Sequence, residues 1–150
     1  MPLNGFSKDL AEDMINSYIG PAAATQQGLL VEPGVGDVLA LANDYGYFLM
    51  EEITATGPTE FERVLGTHMW EVGVSRPVSV LIPKDGAVVR TIHVAQGNGE
   101  PALARGQVGS IANGVFTTAA AAQVPKFVIV GTPADTGMTG YYDVKLYVQR

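Results

Sequence analysis

The brevity of its apolar runs restricts this chain more than any other feature. From residue 29 onward they are cut by Gly, Pro and Asn-Gly, and the 150 residues include 18 glycines and 9 prolines. A helix needs a sustained 3.6-residue period over about 10–12 residues, whereas short apolar runs bounded by turn residues are strands. Strands are therefore expected over Asp37–Ala42, Gly46–Thr54, Thr67–Val74, Pro77–Ile82, Ala87–Ala95, 107–112, 115–118, Lys126–Val130 and Tyr141–Gln149, with Glu60–Leu65 ambiguous. The last strand alternates cleanly, with Tyr142, Val144, Leu146 and Val148 opposite Asp143, Lys145 and Gln149. Pro83-Lys84-Asp85-Gly86 predicts a hairpin joining 77–82 to 87–95, with Gly86 supplying the positive φ. Asn98-Gly99 and Asn113-Gly114 mark two more turns. Roughly eight to ten short strands joined this way predict a mainly β domain, a β-sandwich or a jelly-roll-like barrel.

One segment departs from that pattern. Within residues 7–19, Leu10, Met14, Ile15, Tyr18 and Ile19 fall on one helical stripe, Ser7 can cap it, and Gly20-Pro21 ends it. Residues 22–28 are small and polar, as a tether would be. The chain thus divides into an N-terminal helical arm and tether, 1–28, and a β-rich domain, 29–150. The helix either packs on its own domain or docks on a neighbouring subunit. In the second case Phe6, Leu10, Met14, Ile15, Tyr18 and Ile19 form the contact.

Composition bears on the partner. Hydrophobic residues make up 47% and charged residues 16%, against about 25% charged in an average globular protein. So little charge leaves part of the exterior to be covered by another chain. Residues 38–42, 78–82 and 127–130 are apolar on both strand faces, which calls for cover from loops, from the helix or from other subunits. Several aromatics fall on the same strands. Core packing is the default reading of them, with subunit contact or sugar stacking as the alternatives, for which Tyr47, Trp70, Tyr141 and Tyr147 are the candidates. A net charge of −6 with scattered basic residues opposes nucleic-acid binding. There are no cysteines, no basic-then-apolar leader at the N-terminus, and no apolar stretch near the ~20 residues that span a bilayer. The expectation is a soluble chain made in a cytoplasm-like solvent, with neither nucleic acid nor membrane as partner.

The residues that could carry chemistry fall short of a site. His68 and His93 lie on different expected strands, without the His-x-His and carboxylate set of metal-binding jelly rolls and without a Gly-x-Ser-x-Gly elbow. Glu51 and Glu52 are adjacent on a strand and so point to opposite faces, as solvated edge charges would. Gly34-Val35-Gly36-Asp37 and Gly97-Asn98-Gly99 lack the spacing of phosphate loops and are turns. Asp135-Thr136-Gly137 matches the catalytic loop of aspartic proteases, but Pro133 interrupts the approach, and the chain that follows supplies one strand without a flap. No catalytic, metal or cofactor site is expected, and the chain is read as a non-enzyme.

Two segments carry a family resemblance. Val35-Gly36-Asp37-Val38-Leu39-Ala40-Leu41 and Ala104-Arg105-Gly106-Gln107-Val108-Gly109-Ser110-Ile111-Ala112-Asn113-Gly114-Val115-Phe116-Thr117-Thr118-Ala119-Ala120 resemble the Gly-, Ala- and Val-rich strands of tailed-bacteriophage head decoration or cement proteins. The likeness is one of composition and spans about residues 31–130. It implies a β-rich virion protein, made in the host cytoplasm, that sits on the capsid surface as a dimer or trimer and clamps neighbouring copies of the major capsid protein. The helix at 7–19 departs from the smaller members. A carbohydrate- or receptor-binding module and a tail or connector subunit stand as alternatives.

Overall fold

The computed structural model describes residues 3–6, 11–66, 71–118 and 124–147. In chain order the strands are β1 (Leu3–Phe6), β2 (Ala11–Ile19), β3 (Leu30–Pro33), β4 (Leu39–Leu41), β5 (Tyr47–Leu49), β6 (Glu52–Thr54), β7 (Glu71–Gly73), β8 (Pro77–Pro83), β9 (Val88–Thr91), β10 (Val94–Ala95), β11 (Val108–Ala112), β12 (Val115–Thr118), β13 (Phe127–Gly131) and β14 (Tyr142–Leu146). Two short helices interrupt them, α1 (Glu60–Val64) and α2 (Pro133–Thr136).

The protein is mainly β, as its short apolar runs require. A seven-stranded sheet runs β1-β9-β14-β13-β11-β12-β10, a five-stranded sheet runs β2-β8-β5-β3-β4, and β6 pairs with β7 in a small parallel ribbon. The two large sheets stack as layers and do not close into a barrel. Their shared core takes Leu30, Phe48 and Leu81 from the five-stranded sheet and Val89, Ile111, Phe116, Phe127, Ile129, Val144 and Leu146 from the other. Phe116 is its hinge-pin. It packs edge-on against Phe127 in its own sheet, with ring centroids 5.1 Å apart, and reaches Phe48 across the interlayer space at 6.4 Å.

A second core lies on the far side of the five-stranded sheet. Val31, Leu39, Leu49, Val78 and Val80 face Ile53 of the β6–β7 ribbon, with Tyr18, Tyr47, Val72 and Val74 at the margin. Successive residues of one strand therefore enter different cores, as Val80 and Leu81, Phe48 and Leu49, and Leu30 and Val31 all do. This explains the doubly apolar run at 78–82, because its strand is buried on both faces within one chain. The run at 127–130 differs, since Phe127 and Ile129 are buried while Val130 is exposed.

Three expectations need correction. Residues 11–19 form a strand, not the end of a helix, and pair antiparallel with β8 from Ala11↔Pro83 to Ile19↔Pro77. Register shifts between Ala11 and Asp13 and between Ile15 and Tyr18 let a sequence without strict alternation serve as a strand. The pairing completes β8, and such tertiary demand outweighs local periodicity. Residues 7–10, including Leu10, lie outside the described residues. The presumed arm is thus stitched into the body, since β1 pairs with β9 at one sheet's edge and β2 with β8 at the other's.

The turn at 83–86 exists, with Gly86 at φ 79° and the Ala87 amide bonded to the Lys84 carbonyl. Yet β8 and β9 do not form a hairpin. β8 stays in the five-stranded sheet, while β9 crosses to the seven-stranded one and pairs with β1 and β14. The third correction concerns the supposed tether. Thr25 exchanges main-chain bonds of 2.9 and 2.8 Å with Ile53, and Gln27 is buried.

The turn at Asn113-Gly114 is a true hairpin between β11 and β12, with both residues at positive φ, 50° and 77°. Its tip docks on the other sheet, where the Leu30 amide donates to the Gly114 carbonyl and the Gly114 amide to the Ala42 carbonyl.

Candidate functional site

Among the described residues, Asp135, Glu51, Glu52 and His93 each hold bonds within the fold. Asp135 accepts bonds from the Thr132 amide and hydroxyl, both at 2.9 Å, and pairs with Arg105 at 2.8 Å. The Thr132 amide, followed by its hydroxyl and by Arg105, holds this carboxyl below its usual range. Asp-Thr-Gly is here the turn of a short helix, closed by Gly137 in the left-handed conformation at φ 69°.

Glu51 and Glu52 diverge, as neighbours on an extended segment must. Both are half-buried acceptors of main-chain amides, not solvated edge charges. Glu51 takes the Ser79 amide at 3.2 Å and Glu52 the Gln27 amide at 2.7 Å. His93 is 7% exposed, and its Nε2 lies 2.9 Å from the Gln27 carbonyl, which fixes Nε2–H as the donor. Burial lowers the pKa of its ring, and the Gln27 carbonyl and Glu52 oppose that shift. His68 lies outside the described residues. Among those described, no group of three or more His, Cys, Asp or Glu could hold a metal ion, and no helix is long and apolar enough to cross a membrane.

The candidate contact residues are scattered by the fold. Phe6 is on β1, at one edge of the seven-stranded sheet, while Met14 and Ile15 are on β2 opposite Leu81 and Val80. Tyr18 stacks on Tyr47, with centroids 6.1 Å apart and planes 21° from parallel, and both rings are half-buried against the second core. Burial, followed by Tyr47, raises the pKa of the Tyr18 hydroxyl. Ile19 is half-buried beside them, bridged to Val38. Tyr141 and Tyr147 flank opposite ends of β14 in the other sheet, so the aromatics do not assemble one face. Trp70 lies outside the described residues.

A surface that sequence reasoning passed over is more distinctive. Thr59 caps α1, accepting from the Glu62 amide at 3.2 Å while its hydroxyl donates to the Glu62 carboxylate at 3.1 Å. The helix ends at Val64 and leads into a turn in which the Leu65 amide donates to the Phe61 carbonyl and Gly66 has φ 73°. Phe61 and Val64 of this one-turn helix and Leu65 just after it stand at i, i+3 and i+4, and so share a face. They are 71%, 79% and 61% exposed. The signal was present as Thr59-x-x-Glu62 ahead of Gly66, and it would have resolved the ambiguity at 60–65. Three large apolar side chains grouped in solvent are unlike the single exposed residues normal on any surface.

No protein-family model, no curated protein and no solved structure matches this chain.

Proposed function

We propose that this chain is a structural assembly subunit, without catalytic activity, that decorates and cements a bacteriophage capsid by bridging neighbouring copies of the major capsid protein. The observation that carries this reading is the apolar face of α1. Phe61, Val64 and Leu65 project into solvent and belong to neither core. A side chain such as Phe61 forfeits about 1.5–3 kcal/mol by standing in water and recovers it when covered. The capsid assignment rests on the likeness of 35–41 and 104–120 to decoration proteins and on the low charge content, 16%. On a lattice, several weak contacts made at once raise avidity by about 10²–10⁴.

The test is co-sedimentation of the purified chain with shells assembled from the major capsid protein, followed by thermal melting of the shells. Binding at a fixed ratio to the lattice, with a raised melting temperature, is expected. Shells that leave the chain in the supernatant would refute the proposal.

One observation favours a second reading, a carbohydrate- or receptor-binding module. The Tyr18–Tyr47 pair offers partly exposed aromatic surface beside hydroxyls. Glycan titration monitored by the fluorescence of Trp70 separates the two readings.

A further inference from the structure

Gln27 is the crossing point between the layers, and it is held very unequally on its two sides. Toward the segment 49–53 the loop is tied repeatedly. Thr25 and Ile53 exchange main-chain bonds, the Gly28 amide donates to the Leu49 carbonyl, and the Leu49 amide donates to the Leu29 carbonyl. Gln27 adds its own amide to Glu52 at 2.7 Å and its Nε2 to the Met50 carbonyl at 2.7 Å. Toward the seven-stranded sheet, among the described residues, the Gln27 carbonyl accepts from His93 Nε2–H, and three residues further on the Leu30 amide donates to the Gly114 carbonyl. His93 stands at the corner between β9 and β10. Its amide is bonded to the Thr91 hydroxyl at 3.0 Å, and its carbonyl accepts from the Phe116 amide at 3.0 Å. Gln27 is 2% exposed, and its Oε1 has no hydrogen-bond partner among the described residues. Opening the seam would hydrate that atom and offset its desolvation cost.

We propose that this corner is an acid-opened latch, in which protonation of His93 parts the seam between the Gln27 loop and the β9–β10 corner while the loop stays bonded to residues 49–53. A neutral imidazole suffices for the closed state, because one Nε2–H satisfies the Gln27 carbonyl. A second proton at Nδ1 places a full charge in a site closed to water. Glu52 of β6 is the charged side chain acting on the ring, and its Oε2 is committed to the Gln27 amide. The other groups bonded at this corner, Gln27, Thr91 and the Phe116 main chain, are neutral. Burial outweighs the attraction of Glu52, in agreement with the lowered pKa of His93.

The sign follows. The ordinary histidine pKa is 6.5, and an opened corner returns His93 to about that value. Above it both states are neutral and the latch holds. As pH falls below it, the open form takes up protons that the closed form refuses, so opening grows about tenfold per pH unit until the closed-state pKa is reached.

The test uses the full chain carrying His68→Gln, which leaves His93 as the sole histidine. Its ring is titrated by NMR between about pH 8 and about pH 5, and amide exchange is measured over the same range and corrected for intrinsic rates. The expected result is a ring midpoint below that of the unfolded chain. Protection of the Leu30 amide, whose bond to the Gly114 carbonyl spans the two layers, falls about tenfold per pH unit in that window, while the Leu146 amide, bonded to the Ala87 carbonyl, keeps its protection. His93→Gln abolishes the fall. A ring midpoint at or above the unfolded value, or an equal fall in His93→Gln, would overturn the latch, and the ring titration decides alone if that variant does not fold.

Discussion

At the scale of single residues, Phe116 and Gly109 carry the tightest constraints. Phe116 touches rings on both sides of the main core, so its removal leaves a cavity that neither sheet can close alone. Phe116→Ala is expected to cost about 3–5 kcal/mol, read from urea unfolding midpoints. Gly109 has no room for a side chain. A methyl there would run into the Thr117 carbonyl oxygen and come within 2.7 Å of the Phe127 ring. Gly109→Ala should destabilise by about 1–3 kcal/mol, and an unchanged unfolding midpoint would contradict the close packing of β11. Little of this was legible beforehand. The sequence marks 107–112 as a strand, but which glycine lies beneath an aromatic ring depends on partners chosen far away in the chain. The opposed directions of Glu51 and Glu52 were legible because they follow from strand geometry alone. Their burial against the Ser79 and Gln27 amides was not.

At the scale of elements, turns were readable and partners were not. Pro83-Lys84-Asp85-Gly86 encodes a reversal, and the reversal is present. Whether the following strand returns to its own sheet or crosses to another depends on competing edges, here those of β14 and β1. Asn113-Gly114 left no such freedom, because a two-residue turn with both φ positive forces the flanking strands together. The helical stripe at 10–19 misled for a related reason. Amphipathic spacing reports one apolar face, while β8 needed a pairing partner, and two register shifts reconciled the mismatch. Deletion of residues 1–19 therefore should not yield a sound domain. It strips the paired edge from β8 and leaves an apolar strand open to edge-on association. Thermal unfolding and light scattering should show a lower midpoint and aggregation. A truncated monomer melting like the full chain would mean that these strands contribute nothing.

At the scale of the whole molecule, what matters is how apolar surface is divided between interior and partner. A chain with 16% charged residues was expected to leave oily faces for others to cover. Part of that expectation dissolves in the second core, where the five-stranded sheet is buried on its far side by the β6–β7 ribbon. Among the described residues, the most exposed large apolar side chains are those of the α1 face with Val35 and Val124, while Leu41, Ile92 and Val130 are exposed to a lesser degree. Specific contacts concentrate their energy in a few large apolar side chains, so α1 is where loss of a partner should be felt. Because Phe61 and Leu65 stand in solvent, replacing both with serine should leave the unfolding free energy within about 0.5 kcal/mol of the parent.

The decisive measurement is the occupancy of capsid shells by the Phe61→Ser/Leu65→Ser double variant against the parent chain, under identical conditions. The parent is expected to fill its sites and raise the melting temperature of the shells, while the folded variant stays in the supernatant. Equal occupancy by the variant would contradict the claim that this helix is the docking surface.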